Sequence, residues 1–176
     1  MNNTAAKITL EGVVQGVGFR PYIHRLAARL KVTGYVCNTP DGVTVYIEAG
    51  KQTIKRFYET VLLELPPLAK VTGSDIVFVK PQGLSDFSIR ESKESAAGTA
   101  LVSPDIGICD DCLQELISNK NRRYTYPFIN CTNCGPRFSI IEKIPYDRPA
   151  TTMKAFNMCM DCATEYNDIK DRRYHA

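Results

Sequence analysis

Apolar and polar residues trade places strictly between positions 43 and 49. Val43, Val45, Ile47 and Ala49 alternate with Thr44, Tyr46 and Glu48, the period of a half-buried strand. Lys7 to Val14 shows a similar pattern, with Ile8 and Leu10 on one face, and Gly34 to Asn38 reads as a third strand. Between them the period changes. Ile23, Leu26, Ala27 and Leu30 recur at helical spacing, which predicts a helix over Pro21 to Leu30 with the proline in its first turn. A second helix is expected over 53–65, where Ile54, Phe57, Tyr58, Val61, Leu62 and Leu65 form one stripe that Pro66-Pro67 stops. Thr39-Pro40-Asp41-Gly42 has the residues of a tight turn. Val71 to Lys80 and Asp86 to Glu91 complete the series as strands. The order is βαββαβ, an α+β arrangement of ferredoxin-like type in which two helices cover one face of an antiparallel sheet.

The pattern fails after residue 91. Ser92 to Ser103 (SKESAAGTALVS) is small, polar and aperiodic, as a linker would be. Beyond it come short segments punctuated by cysteine pairs, with little room for an apolar core. The expected division is a first domain at 1–91, a linker at 92–103, a four-cysteine finger at 104–150 and half of a second, truncated finger at 151–176.

Composition changes this picture only at the margins. The chain is 44% apolar and 23% charged, as a globular protein is, and its formal net charge of +3 is too small to argue for nucleic acid. Residues 1–91 hold 11 basic and 8 acidic side chains, whereas 92–176 hold 11 of each. The positive balance therefore sits where a small anion would be welcome. Neither a membrane-length apolar run nor a signal-peptide pattern is present, so the expectation is a cytoplasmic protein.

Six of the seven cysteines fall into three pairs, Cys109/Cys112, Cys131/Cys134 and Cys159/Cys162, each spaced Cys-x-x-Cys. Two such knuckles about 15–20 residues apart can close a tetrahedral zinc site, and four sulfurs leave no position for a reactive water. Zinc is expected here in a structural role. A repeat at an offset of 50 carries Cys109 and Cys112 onto Cys159 and Cys162, Glu115 onto Glu165, and Arg122-Arg123-Tyr124 onto Arg172-Arg173-Tyr174. The partners of Cys159 and Cys162 would fall past Ala176. Either the chain is a piece of a longer protein, or the second site is filled differently. His175 is a conceivable ligand, but the repeat aligns it with Thr125. One tightly bound zinc is expected, with Cys159 and Cys162 weakly occupied. The arginine pairs could screen thiolate charge, although a solvated surface is the simpler expectation. Lone Cys37 and His24 suggest a small buried residue and a surface residue respectively.

Candidate chemistry lies at Gln15-Gly16-Val17-Gly18-Phe19-Arg20, between the first strand and the first helix. Two glycines let successive N–H groups turn toward one point beside a helix N-terminus, a ready anion site. Arg20 adds a charged fork able to take two oxygens. The same glycines would also serve a plain tight turn. The string as a whole, with Gly34-Tyr35-Val36-Cys37-Asn38 and Asp41-Gly42-Val43-Thr44-Val45 following in order, resembles the acylphosphatase signature over residues 7–91. That resemblance implies phosphate binding by residues 15–20 and catalysis by Arg20 and Asn38. Arg20 and the amides would hold the phosphoryl oxygens, and Asn38 would orient the attacking water. The motifs contain no general base, so the substrate phosphate itself would take the proton.

Tyr126-Pro127-Phe128-Ile129-Asn130-Cys131-Thr132-Asn133-Cys134-Gly135-Pro136-Arg137-Phe138 and Pro145-Tyr146-Asp147-Arg148-Pro149 extend the likeness. With the cysteine repeat, the whole chain resembles the N-terminal part of the hydrogenase maturation carbamoyltransferases. The resemblance implies carbamoyl phosphate as substrate. It also implies, in the full-length family, ATP and a partner protein that accepts the thiocarbamate on the way to a cyanide ligand. Two other readings stay open on the residues alone. One is a stand-alone acylphosphatase braced by its fingers, and the other a zinc-dependent binding module on a degenerate phosphatase fold.

Overall fold

The structure, a computed structural model, describes residues 4–92, 101–129, 131–135, 137–144 and 147–175. Five strands form one sheet: β1 (Thr4–Val13), β2 (Thr33–Thr39), β3 (Gly42–Ala49), β4 (Lys70–Val79) and β5 (Phe87–Ile89), in the order β4-β1-β3-β2-β5. The first four pair antiparallel, as the alternation predicts. β5 departs from that expectation by running parallel to β2, with Gly34 opposite Phe87 and Val36 opposite Ile89. The cause is the route of the chain, which leaves β4 at one edge of the sheet and crosses to the other. Buried Glu48 anchors the crossing. It accepts N–H bonds from Gln82 (2.7 Å) and Gly83 (3.0 Å) and a hydroxyl bond from Tyr46 (2.8 Å). Burial alone would push the Glu48 carboxyl up. The Tyr46 hydroxyl and the backbone donors outweigh it and hold the carboxyl below its ordinary value.

Helices α1 (Phe19–Leu30) and α2 (Lys51–Leu63) bury their apolar stripes on the sheet. Ile23, Leu26, Ile54 and Phe57 meet Ile8, Leu10, Val45 and Ile47 in one core. Each of these large side chains contributes roughly 1.5–3 kcal/mol by leaving water. α1 begins two residues before the expected Pro21, because Gly18 ends the preceding loop in the left-handed region at φ 69°. The first-turn N–H groups of a helix have no acceptor inside it, so Pro21 is accommodated there while Phe19 and Arg20 lead. His24 is corrected from a surface residue to a half-buried one. A ring nitrogen lies 3.0 Å from the Phe87 carbonyl oxygen, and the imidazole meets the Phe87 ring edge-on. Cys37 is buried in β2, in line with the reading from sequence.

The second half repeats itself in three dimensions. Helix α3 (Asp110–Ile117) and helix α4 (Met160–Asn167) have the same length and lie 50 residues apart, each preceded by a cysteine, Cys109 or Cys159. After each helix the chain closes the same turn. Thr125 donates its N–H to the Leu116 carbonyl (2.9 Å), and His175 donates to Tyr166 (3.0 Å). Both residues have φ 55°. The apolar cluster here is small, Ile129 with Cys112, Cys131 and Cys134 at its centre. Of the expected linker, residues 93–100 lie outside the described part. Val102 bridges Gln15 in parallel register, so its last residues pack against the first domain. Among the described residues, no helix is long and apolar enough to cross a membrane.

Candidate functional site

Alternation along the loop after β1 sorts its side chains. Val17 and Phe19 enter the core. Buried Gln15 turns its amide inward and donates to the carbonyls of Thr39 (2.7 Å) and Gly42 (2.9 Å). Backbone at Gly16 and Gly18 and the Arg20 side chain are left facing a cavity. Gln15 thereby ties the loop to the β2–β3 turn, next to which Asn38 sits. Buried Asn38 lines the same cavity as Arg20. The two residues that the acylphosphatase signature singles out are brought to one place.

The second half closes this cavity. Cys134, Gly135, Arg172, Tyr174 and His175 line it from the far side. Gly135 packs so tightly on the loop that a Cβ there would stand 2.4 Å from the Gly16 carbonyl oxygen. Asp147 reaches Arg20, Oδ1 to Nη1, at 2.8 Å and takes a hydrogen bond from the Ser92 hydroxyl on its other oxygen. Arg20 is 6% exposed, so its charge meets this carboxylate with little screening. Cys134 and Arg172 had signatures only as a cysteine-pair member and a repeat position, and none of these residues had one for lining the cavity. Asp147 was visible only as part of the carbamoyltransferase-like string 145–149, without a role.

Three of the predicted metal ligands converge. The sulfurs of Cys109, Cys112 and Cys134 lie within 4.8 Å of one another. Cys131 is beside them, its sulfur accepting the Cys109 N–H at 3.0 Å, but it does not come within that distance of all three. Thr132, Asn133 and Cys134 take consecutive left-handed conformations that swing the second knuckle toward the first. Burial pushes the Cys134 thiol up to about 12, and the Arg172 guanidinium, 2.7 Å away, opposes it. A buried, sulfur-only donor set of this kind fits a thiophilic divalent cation.

Cys159 and Cys162 join no such group among the described residues. Cys159 is exposed, and Cys162 accepts from Arg122 at 3.5 Å. His175 is not drawn toward them. It stacks on Tyr166 and lies tilted against Tyr174.

The arginine pairs are corrected from a solvated surface to a reciprocal clasp. Arg172 and Arg173 of the second repeat reach Glu115 of the first at 2.8 and 2.6 Å. Arg122 reaches Glu165 of the second at 2.9 Å, and Arg123 pairs with the same carboxylate. Arg123 and Arg173 are buried. Burial would raise the Glu115 carboxyl, but bonds from Arg173 and Arg172 bring it down to about 2. Contacts spanning 42 to 58 residues leave no trace in a local charge pattern, which is why the pairs read as surface.

Comparison with known proteins places both halves. The Acylphosphatase family model matches residues 6–89, and the HypF finger model matches residues 108–141 and 158–176. The chain is 44% identical over 146 residues to the probable carbamoyltransferase HypF of Methanocaldococcus jannaschii, covering 81% of this chain and 19% of that protein. An acylphosphatase of Thermotoga maritima is 42% identical over 87 residues, which make up 49% of this chain and 96% of the enzyme. The crystal structure of full-length HypF in its phosphate- and nucleotide-bound form superposes with a TM-score of 0.93 at 46% identity, over 99% of this chain and 23% of that one. The chain thus spans about a fifth of the length of the carbamoyltransferases it matches.

Proposed function

The chain belongs to the acylphosphatase family through its first domain and corresponds to the N-terminal part of the HypF carbamoyltransferases, and from that premise we propose that it hydrolyses carbamoyl phosphate in the cavity above residues 15–20. The observation that carries the reading is the meeting of Arg20 and Asn38 at one buried cavity beside the N-terminus of α1.

In this reading the amides of Gln15, Gly16, Val17, Gly18, Phe19 and Arg20, together with the Arg20 guanidinium, hold the phosphoryl oxygens. Their fixed dipoles stabilise charge as it spreads over those oxygens in the transition state. Asn38 orients a water in line with the bond to the leaving group. The water oxygen bonds to phosphorus, the P–O bond to the acyl group breaks, and the proton passes to the phosphate. Carbamate and inorganic phosphate result. Asp147 holds one arm of Arg20.

Zinc is the proposed metal, held by Cys109, Cys112, Cys131 and Cys134, and it supplies a structural cross-link rather than chemistry. Carbamate would then feed an ATP-dependent transfer to a thiol-bearing partner during hydrogenase maturation. That transfer belongs to parts of the relatives that this chain does not span.

Phosphate release from carbamoyl phosphate tests the reading. Arg20→Ala is expected to lower kcat/KM by about 10²–10³-fold, the usual cost of losing a transition-state donor. Equal, slow release by wild type and variant overturns it.

A further inference from the structure

Two aromatic side chains line the cavity opposite the phosphate loop, and a third packs on one of them. His175 stacks on Tyr166 with centroids 5.0 Å apart and planes at 7°, and Tyr174 lies against the same imidazole at 4.3 Å. Tyr174 and His175 line the cavity together with Arg20 and Asn38. Burial pushes the Tyr174 hydroxyl up and the His175 ring down, and the charge of Arg20 acts on both, which sets the stack close to the anion site.

The internal repeat offers a control written into the chain. Tyr166, Tyr174 and His175 correspond to Leu116, Tyr124 and Thr125. The backbone is the same in both copies, down to the hydrogen bond and the φ of 55° at Thr125 and His175. The finger fold therefore requires neither the tyrosine at 166 nor the histidine at 175. In the first copy Tyr124 is exposed and has no ring stack among the described contacts. Among the described residues the stack exists only in the second copy, whose Tyr174 and His175 line the cavity.

We propose that Tyr174 and His175, with Tyr166 holding the imidazole, form the acyl-side wall of the site and select acyl phosphates by size. This rests on the acyl phosphate reading above. With the phosphoryl group seated on the loop and Arg20, the acyl group points across the cavity at Tyr174 and His175. A carbamoyl or acetyl group fits against the rings, and a benzoyl group collides with them. Tyr166 touches no substrate. It is a positioning residue that holds the imidazole flat. A specificity element of the phosphatase site thus lies in the finger region.

The test compares kcat/KM for acetyl phosphate and benzoyl phosphate in the full chain loaded with zinc. Wild type is expected to prefer acetyl phosphate. Tyr174→Ala and His175→Gly, the latter suited to positive φ, should each raise the benzoyl-to-acetyl ratio about tenfold or more, the scale on which pocket size discriminates. Tyr166→Leu introduces the residue that the first repeat already folds with, and should raise the ratio several-fold. A ratio unchanged within twofold in Tyr166→Leu and in either wall variant overturns the size filter while leaving the hydrolase reading intact. So does a wild type that treats both substrates alike. Wild type that releases phosphate from neither, nor from carbamoyl phosphate, overturns the hydrolase reading, and the filter with it; release from carbamoyl phosphate alone overturns the filter only.

Discussion

The first ninety residues and the last seventy hold themselves together by different means. In the sheet domain the binding material is hydrocarbon, with helices α1 and α2 covering a continuous apolar face. In the finger region the apolar cluster is little more than Ile129 and three cysteines, and the remaining cohesion comes from converging sulfurs and a clasp of arginines on Glu115 and Glu165. Burial is non-directional and tolerant of small shifts. Sulfur–metal bonds and buried ion pairs are directional, and each fails when one partner is lost. The same chain should therefore come apart in two ways.

Removal of the metal should separate the halves most sharply. A strong chelator is expected to unfold residues 104–175 and leave the sheet intact, seen as loss of amide protection in α3 and α4 with protection retained in β1 and β3. Uniform loss across the chain would show that the sheet depends on the metal as well. Metal analysis should find one tightly bound zinc per monomer, and two would show that Cys159 and Cys162 complete a site of their own.

A core lesion should act in the opposite direction. Phe57→Ala empties fully buried volume and is expected to cost about 3–5 kcal/mol in denaturant unfolding of the sheet domain, without lowering zinc content. Breaking the clasp comes next in size. Arg173→Ala leaves Glu115 part-buried and short of one cation, at roughly 2–3 kcal/mol, and that loss should be confined to the finger transition. If it also shifts the sheet transition equally, the two halves unfold as one unit.

The smallest effect is a pH dependence within the sheet domain. The Glu48 carboxyl is held below its ordinary value when folded. Its contribution is therefore complete above the ordinary carboxylate range and is lost as pH falls through the depressed folded value. Glu48→Gln should flatten that acid limb by about 1 kcal/mol, measured by urea unfolding across acidic pH.

What could be read from sequence follows the same division. The βαββαβ order was legible because burial against a sheet imposes period two on Val43 to Ala49 and helical spacing on Ile23 to Leu30. The start of α1 was misplaced since Pro21 marks a first turn but not which residue of it, whereas the φ of Gly18 decides. Arg20 and Asn38 stood out through the acylphosphatase resemblance, and the structure puts both on one cavity. The cysteine spacing picked out the pairs and their repeat, and three of those sulfurs converge in the structure. It could not reveal Tyr174 or His175 as cavity residues, or Asp147 as the partner of Arg20. Their relation to the loop depends on how two separately folded regions dock, and docking leaves no periodicity behind. Parallel β5 was missed for a related reason, since its partner is chosen by the path of residues 80–86 across the sheet.

The approach of Gly135 to Gly16 has a mechanical meaning. Cys134, one of the three converging sulfurs, is the immediate neighbour of Gly135, and Gly16 belongs to the loop proposed to hold the phosphoryl group. A single peptide unit therefore separates a converging cysteine from a close backbone approach to the loop after β1, with no side chain between to act as a cushion. A metal held at Cys134 would then be the fixed bearing on which that loop is trued.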